Sequence, residues 1–121
     1  MIRRSAGAGI GNWTLPGGKE EAGEHCHQAG VREVAEEVDG ADFTVNSLFL
    51  RAEIIDFEKQ RRLLESYFVM DMHPTSNALL PQEGHDRLEF FHPDELPESI
   101  SPGQLTVLNK FFELRAVAIA A

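Results

Sequence analysis

Three glutamates, at positions 33, 36 and 37, constrain this chain more than any other feature. They lie in the 23-residue stretch from Gly18 to Gly40, which reads GKEEAGEHCHQAGVREVAEEVDG. Steps of i, i+3 and i+4 hold all three carboxylates within roughly 100° of arc on one helix face. Like charges at that spacing repel and destabilise an isolated helix. A solvated acidic face is one outcome of such a pattern. A bound cation is the other, because it turns the repulsion into attraction. Hard oxygen donors, with no thiolate or imidazole at usable spacing, suit Mg²⁺ or Mn²⁺ better than zinc.

The residues around the trio favour the cation. Glu24 falls near the start of the predicted helix, where a carboxylate meets the positive end of the helix dipole. The Gly17-Gly18 pair lets the backbone come close to whatever the carboxylates hold. Val31, Val34, Ala35 and Val38 recur at steps of three and four, which predicts a buried face opposite the acids on a helix from Cys26 to Val38. Gly30 inside that helix costs about 1 kcal/mol against alanine and suits close packing. His25 and His27 flank Cys26, but helical residues two apart point about 200° away from each other and cannot chelate one ion. Cys26 itself reads as a small buried filler, since no base stands in readable position beside it.

Gly18, Glu24, Arg32, Glu33, Val34, Glu36 and Glu37 are spaced as in the Nudix box, G-x5-E-x7-R-E-U-x-E-E-x-G-U with U aliphatic. Trp13-Thr14-Leu15-Pro16-Gly17-Gly18 matches the W-x-L-P-G-G lead-in of MutT-like members. The chain therefore resembles the Nudix hydrolase superfamily and its MutT-like nucleotide pyrophosphohydrolases. The resemblance implies an α/β fold with a mixed β-sheet sandwiched between helices. It implies metal-dependent hydrolysis of a nucleoside diphosphate linked to another group. Glu36 and Glu37 are then the principal metal ligands, Glu33 binds or orients, the main-chain carbonyl of Gly17 is a further ligand, and Arg32 positions the acidic cluster. The segment Pro81 to Phe91 resembles the E-x-H-D-x-L-x-W-F stretch of some relatives, which makes Glu83 a second acidic candidate. Either Glu33 or Glu83 completes base catalysis. His85 in the same segment reads as a structural hydrogen-bonding residue. Where the box has glycine and then an aliphatic residue, this chain has Asp39 and Gly40, so the helix exit departs from the pattern while the acidic face does not.

Net charge is −9, which argues against a nucleic-acid polymer as partner but not against a free nucleotide, whose phosphates a local metal would neutralise. Apolar content of 42% and charged content of 26% fit one soluble globular domain over residues 1–121. No apolar run reaches membrane length, no signal-peptide pattern opens the chain, and the single cysteine excludes an internal disulfide. A cytoplasmic location is the default expectation.

Along the chain, residues 5–12 read as a Gly-rich loop, Ala41–Asp56 as one or two strands, Glu58–Arg62 as a charged turn and Leu63–Met72 as a strand with Leu64, Ser66, Phe68 and Met70 on one face. Residues 73–84 read as a long loop and Arg87–His92 as a short strand. Ser101-Pro102-Gly103-Gln104 reads as a capping box ahead of a last helix striped by Leu105, Leu108, Phe111, Phe112 and Arg115. Met1–Arg4 falls where the second strand of the family ends, so the first strand is expected to be absent. An open sheet edge invites pairing, and a homodimer that completes the sheet, or a rearranged Met1–Trp13 segment, is the expected remedy.

Substrate marks are mostly negative. A coenzyme A subgroup arginine is replaced by Ile10, the ADP-ribose subgroup proline by Ile55 or Asp56, and the dinucleoside-polyphosphate tyrosine by Phe57. With the MutT-like segments, these point to a nucleoside triphosphate, oxidised forms included. The alternative is a Nudix-fold module that senses a nucleotide without cleaving it, from which the intact acidic trio detracts.

Overall fold

The computed structural model describes every residue except 41, 74–77, 83, 102 and 121, with side chains left out at 116–120. In chain order it runs β1 (Ile2–Arg4), β2 (Trp13–Thr14), α1 (Cys26–Glu37), β3 (Val38–Asp39), β4 (Phe43–Asp56), β5 (Arg61–Met72), β6 (Leu80–Pro81), β7 (His85–Leu88), a 3-10 turn (Pro93–Glu95) and α2 (Gln104–Ala120). Among the described residues the strands form three sheets, β2-β1-β7, β3-β6 and the long hairpin β4-β5. All strand pairs are antiparallel, and a lone parallel bridge joins Trp13 to Ile100.

The Met1–Trp13 segment builds the first ladder. Ile2 sits between Thr14 and Leu88, and Arg3 between Trp13 and Arg87. The Met1 amino group and carbonyl extend this ladder by bonding the Glu89 carbonyl at 2.7 Å and the Glu89 N–H at 3.0 Å. Ile2 is fully buried, and Trp13 is buried beside it. The Phe91 ring meets Trp13 edge-on at 5.0 Å, and the Arg3 and Arg87 guanidiniums lie over the indole at 6.0 and 5.8 Å. Trp13 is thus a packing residue held among cations and an aromatic edge.

Helix α1 opens with Gln28, whose side-chain oxygen accepts the His25 N–H at 2.8 Å. This satisfies one of the donors that a helix start leaves over. The helix ends at Glu37, one residue short of the expected Val38, because Val38 turns extended at φ −130° and enters β3. Gly40 does take the left-handed conformation, at φ 80°. It serves the turn after β3, three residues beyond the end of the helix.

The buried face of α1 differs from the expected one. Ala29, Val34 and Glu37 are buried, whereas Val31 is 41% exposed and Ala35 is exposed. The reason lies at Gly30. A Cβ there would stand 3.3 Å from Met70 Cε and 3.7 Å from Phe68 Cδ2. The helix is drawn onto β5 through its glycine, which rotates Val31 outward.

The hairpin matches its expected extent, as a single β4 strand and a β5 strand that starts two residues early. Gln60 closes the turn at a positive φ of 49°. Two expectations downstream need correcting. The loop predicted over residues 73–84 contains β6, which pairs Leu80 with Asp39 and Pro81 with Val38. The short strand predicted at Arg87–His92 lies instead at His85–Leu88, since it is the Ile2–Arg4 register that selects it. At α2, Gln104 does not close a capping box on Ser101. Its side-chain oxygen accepts the Leu15 N–H at 2.8 Å and bonds Thr14 Oγ1 at 3.1 Å, tying the last helix to the segment before the Gly17-Gly18 loop. The inward stripe of α2 is Val107, Leu108, Phe111 and Phe112, with Phe111 edge-on to Phe49 at 5.3 Å, while Leu105 and Arg115 are exposed.

Candidate metal and catalytic site

Arg32 is the hub of the acidic face. Its Nε and Nη2 donate to the two Glu24 oxygens at 2.9 and 3.0 Å, a bidentate pair. Nη1 donates to Glu33 at 2.8 Å and to Glu36 at 3.2 Å, and Nη2 also reaches the Lys19 carbonyl at 2.8 Å. One planar guanidinium therefore joins the loop before α1 to two of the three carboxylates. The partners push the Arg32 pKa further up, the Glu24 hydrogen bond foremost and the Glu33 bond next. In return Arg32, and then the Glu21 N–H, hold the Glu24 carboxyl below its ordinary range.

The glycine pair sits over the carboxylates. The Gly17 N–H donates to Glu37 Oε2 at 3.0 Å. A Cβ on Gly18 would stand 2.3 Å from the Glu33 carboxyl carbon and one of its oxygens. A side chain there would displace the Glu33 carboxylate, so the lead-in glycine is what lets that carboxylate lie against the loop. Exposure is graded along the face: the Glu33 side chain is 14% exposed and that of Glu36 39%, while residue Glu37 is only 9% exposed. The Gly17 N–H bond to the buried Glu37 carboxylate offsets part of the cost of burying it.

The structure thus brings together Gly17, Gly18, Glu24, Arg32, Glu33, Glu36 and Glu37. Glu83 lies outside the described residues. Among the described residues, no three His, Cys, Asp or Glu side chains stand in one metal-holding cluster. The fit to a divalent cation rests on donor chemistry: hard carboxylate oxygens on one helix face beneath a loop with no side chain of its own. Glu33 and Glu36 already converge on one cationic nitrogen, Arg32 Nη1, so the face accommodates positive charge.

Other expectations resolve locally. His85 Nδ1 bonds the Gln82 carbonyl at 3.0 Å, a structural contact. His25 and His27 do not point apart; their rings stack at 5.8 Å and 9°, because His25 precedes the first helical turn and escapes helical spacing. Cys26 is partly exposed and accepts from Arg51 Nη2 at 3.3 Å. Two open grooves flank α2, and neither is lined by a residue of the acidic face.

Arg4 closes β1. Its Nε is buried without a hydrogen-bond partner, and the Gly7 and Gly9 backbones wrap the side chain, with a Gly9 Cβ only 3.6 Å from Arg4 Cδ. A dibasic Arg3-Arg4 pair before a Gly-rich loop in an acidic chain is the signal that marks it. Arg3, by contrast, is matched by Asp86 at 2.7 and 2.9 Å.

A family model described as NUDIX domain matches residues 1–111. Among solved structures, the crystal structure of a MutT NUDIX hydrolase from Burkholderia pseudomallei is similar, with a TM-score of 0.71 and 25% identity over 89% of this chain and 83% of that one. No curated protein matches the chain significantly. The box geometry, the family match and the structural likeness agree on the α/β Nudix fold, and this chain belongs to the NUDIX domain family.

Proposed function

We propose that this chain is a divalent-cation-dependent nucleotide pyrophosphohydrolase, with a nucleoside triphosphate, oxidised forms included, as substrate and the monophosphate and pyrophosphate as products. Family membership supports hydrolysis of diphosphate linkages in general. The observation that supports cation dependence is the Gly17-Gly18 loop seated on the Glu33 and Glu37 carboxylates. Glu36, Glu37, Glu33 and the Gly17 carbonyl would hold a hard cation, Mg²⁺ or Mn²⁺, there. When bound, the cation neutralises phosphate oxygens and makes water a better nucleophile.

The chain's own groups do the rest. Arg32 fixes the side chains of Glu33 and Glu36 through one nitrogen and draws on Glu24 for its own orientation. Glu33 or Glu83 takes the proton of the attacking water. Release of phosphate and pyrophosphate from a panel of NTPs, dNTPs, ADP-ribose and sugar nucleotides tests the assignment. Glu37→Gln should lower kcat by on the order of 10²–10⁴, the scale of losing a charge-stabilising or acid–base group. Unchanged turnover in a folded Glu37→Gln protein would falsify the site.

One observation favours a second reading, a module that binds nucleotide without cleaving it: Arg32 Nη1 engages two of the acids meant for metal. Calorimetric titration beside a turnover assay separates the two. Tight binding with no product after long incubation in Mn²⁺ supports the binding module.

A further inference from the structure

We propose that Gln104 is a positioning residue for the cation site: through the Leu15 N–H it fixes the Gly17-Gly18 loop against Glu33 and Glu37, and so sets cation affinity. The role rests on the cation-dependent function proposed above. The loop has little of its own to hold it. Gly17, Gly18 and Lys19 are exposed, and the two glycines bring no side chain to pack while adding backbone freedom. Among the described residues, hydrogen bonds from elsewhere in the fold hold Leu15–Lys19 at three points. The Leu15 N–H donates to Gln104 Oε1 at 2.8 Å. The Gly17 N–H donates to Glu37 Oε2 at 3.0 Å. Arg32 Nη2 donates to the Lys19 carbonyl at 2.8 Å. The last two anchors belong to the acidic face itself. Gln104, at the start of α2, supplies the one that does not.

The link from Gln104 to Glu37 is short and stiff. Leu15, Pro16 and Gly17 are consecutive. The proline ring locks its own φ at about −65°, and the residue before a proline is confined to extended backbone. A shift of the Leu15 N–H is therefore carried to the Gly17 N–H rather than absorbed between them. The side-chain oxygen of Gln104 has two lone pairs. It accepts both the Leu15 N–H and the Thr14 hydroxyl, the latter at 3.1 Å. The fold does not need these bonds to bring the two segments together. The Trp13 N–H donates to the Ser99 carbonyl at 2.7 Å, and the Ser101 N–H to the Trp13 carbonyl at 2.8 Å. Those backbone bonds seat the segment before α2 on β2. The Gln104 side chain adds the hold on the loop beyond it.

Gln, Glu and Met have similar helix propensities, so exchanges among them isolate the acceptor. Gln104→Met keeps the bulk and loses the oxygen, while Gln104→Glu keeps an oxygen that accepts. Amide hydrogen exchange by NMR on the metal-free full chain, and Mn²⁺ titration followed by electron paramagnetic resonance, read the two ends of the link. In Gln104→Met the Leu15 and Gly17 amides should exchange faster while those of Trp13 and Ser101 hold. The Mn²⁺ dissociation constant should rise on the order of five- to tenfold, the worth of one hydrogen bond. Turnover should fall at low Mn²⁺ and recover as Mn²⁺ is raised. Gln104→Glu should restore both slow exchange and affinity. If thermal melts show Gln104→Met unfolded, Gln104→Ala makes the same comparison; unfolding of both marks a tie that serves folding and overturns the role. Gly17 exchange or Mn²⁺ affinity equal to the wild type in Gln104→Met also overturns it, as does a loss that Gln104→Glu fails to restore. A wild type that binds no Mn²⁺ overturns the cation site and this role with it, whereas Mn²⁺ binding that ignores Gln104 overturns the role alone.

Discussion

Gly18 and Glu33 show how much a single atom decides at this site. The hydrogen on Gly18 leaves room for a carboxylate that a methyl group would meet at 2.3 Å. Glu33 would have to swing away, and displacements of that size from a reacting geometry cost on the order of 10² in rate. Gly18→Ala should therefore lower kcat/KM by about that factor while thermal unfolding moves little, since a partly exposed side chain is what gives way. A large loss of stability with normal activity in the surviving protein would show that the glycine serves folding instead. Arg32 is the second such residue. Glu24→Gln keeps the size of the partner but removes its charge, leaving Glu33, Glu36 and the Lys19 carbonyl as the close anionic and carbonyl partners of Arg32. Catalysis should fall, because the guanidinium is then free to shift toward the acids it should only steady; a pre-steady-state comparison of substrate binding and turnover reads this as a kcat effect.

At the scale of the element, α1 is positioned by its least helical residue. Gly30 lets the helix approach Phe68 and Met70, and the neighbour nearest to a new Cβ is the flexible end of a methionine at 3.3 Å. Alanine gains up to about 1 kcal/mol in helix propensity, and Met70 needs to move only a few tenths of an ångström. Gly30→Ala should therefore raise the urea midpoint slightly, by less than the full propensity gain. Gly30→Leu overfills the contact and should destabilise by about 1–3 kcal/mol. If both variants destabilise alike, the helix–hairpin contact is backbone-tight and the methionine does not yield. The same contact explains why periodicity misassigned Val31: amphipathic spacing places the faces of a helix only to within about one residue's rotation, and a close approach at one residue resets it.

For the whole molecule, charge sets the pH response. Glu24 and Asp86 are both held below their ordinary values, 4.5 and 3.8, chiefly by hydrogen bonds from Arg32 and Arg3. A carboxyl depressed in the folded state contributes stability that is fully present above its unfolded pKa and is lost as pH falls through the folded value. Unfolding midpoints should therefore hold steady from neutral pH to the ordinary carboxylate range and drop below it, modestly, because both pairs are screened by solvent. Glu24→Gln should flatten part of that drop; an identical acid profile in the variant would remove the pair from the account. Cation binding acts in the other direction. Mn²⁺ at a hundred times its dissociation constant should stabilise the fold by about 2.7 kcal/mol, and Glu36→Gln or Glu37→Gln should abolish most of that increment in a thermal melt.

Sequence alone determined the acidic face, the helix start at Cys26 and the two long strands of the hairpin. Each depends on local spacing, and local spacing is what helical and strand periods encode. Tertiary structure decided the rest. Which side of α1 is buried depends on Gly30 meeting Met70, a contact forty residues distant in the chain. The β6 strand exists because Val38 and Asp39 offer it a partner, not because Leu80-Pro81 favours extension. Gln104 abandoned its cap for Leu15 and Thr14 across ninety positions. His25 and His27 stack because a helix start breaks the spacing that would separate them. Residues brought together from distant parts of the chain satisfy each other's hydrogen bonds and fill each other's space, and no periodicity within one segment records that choice.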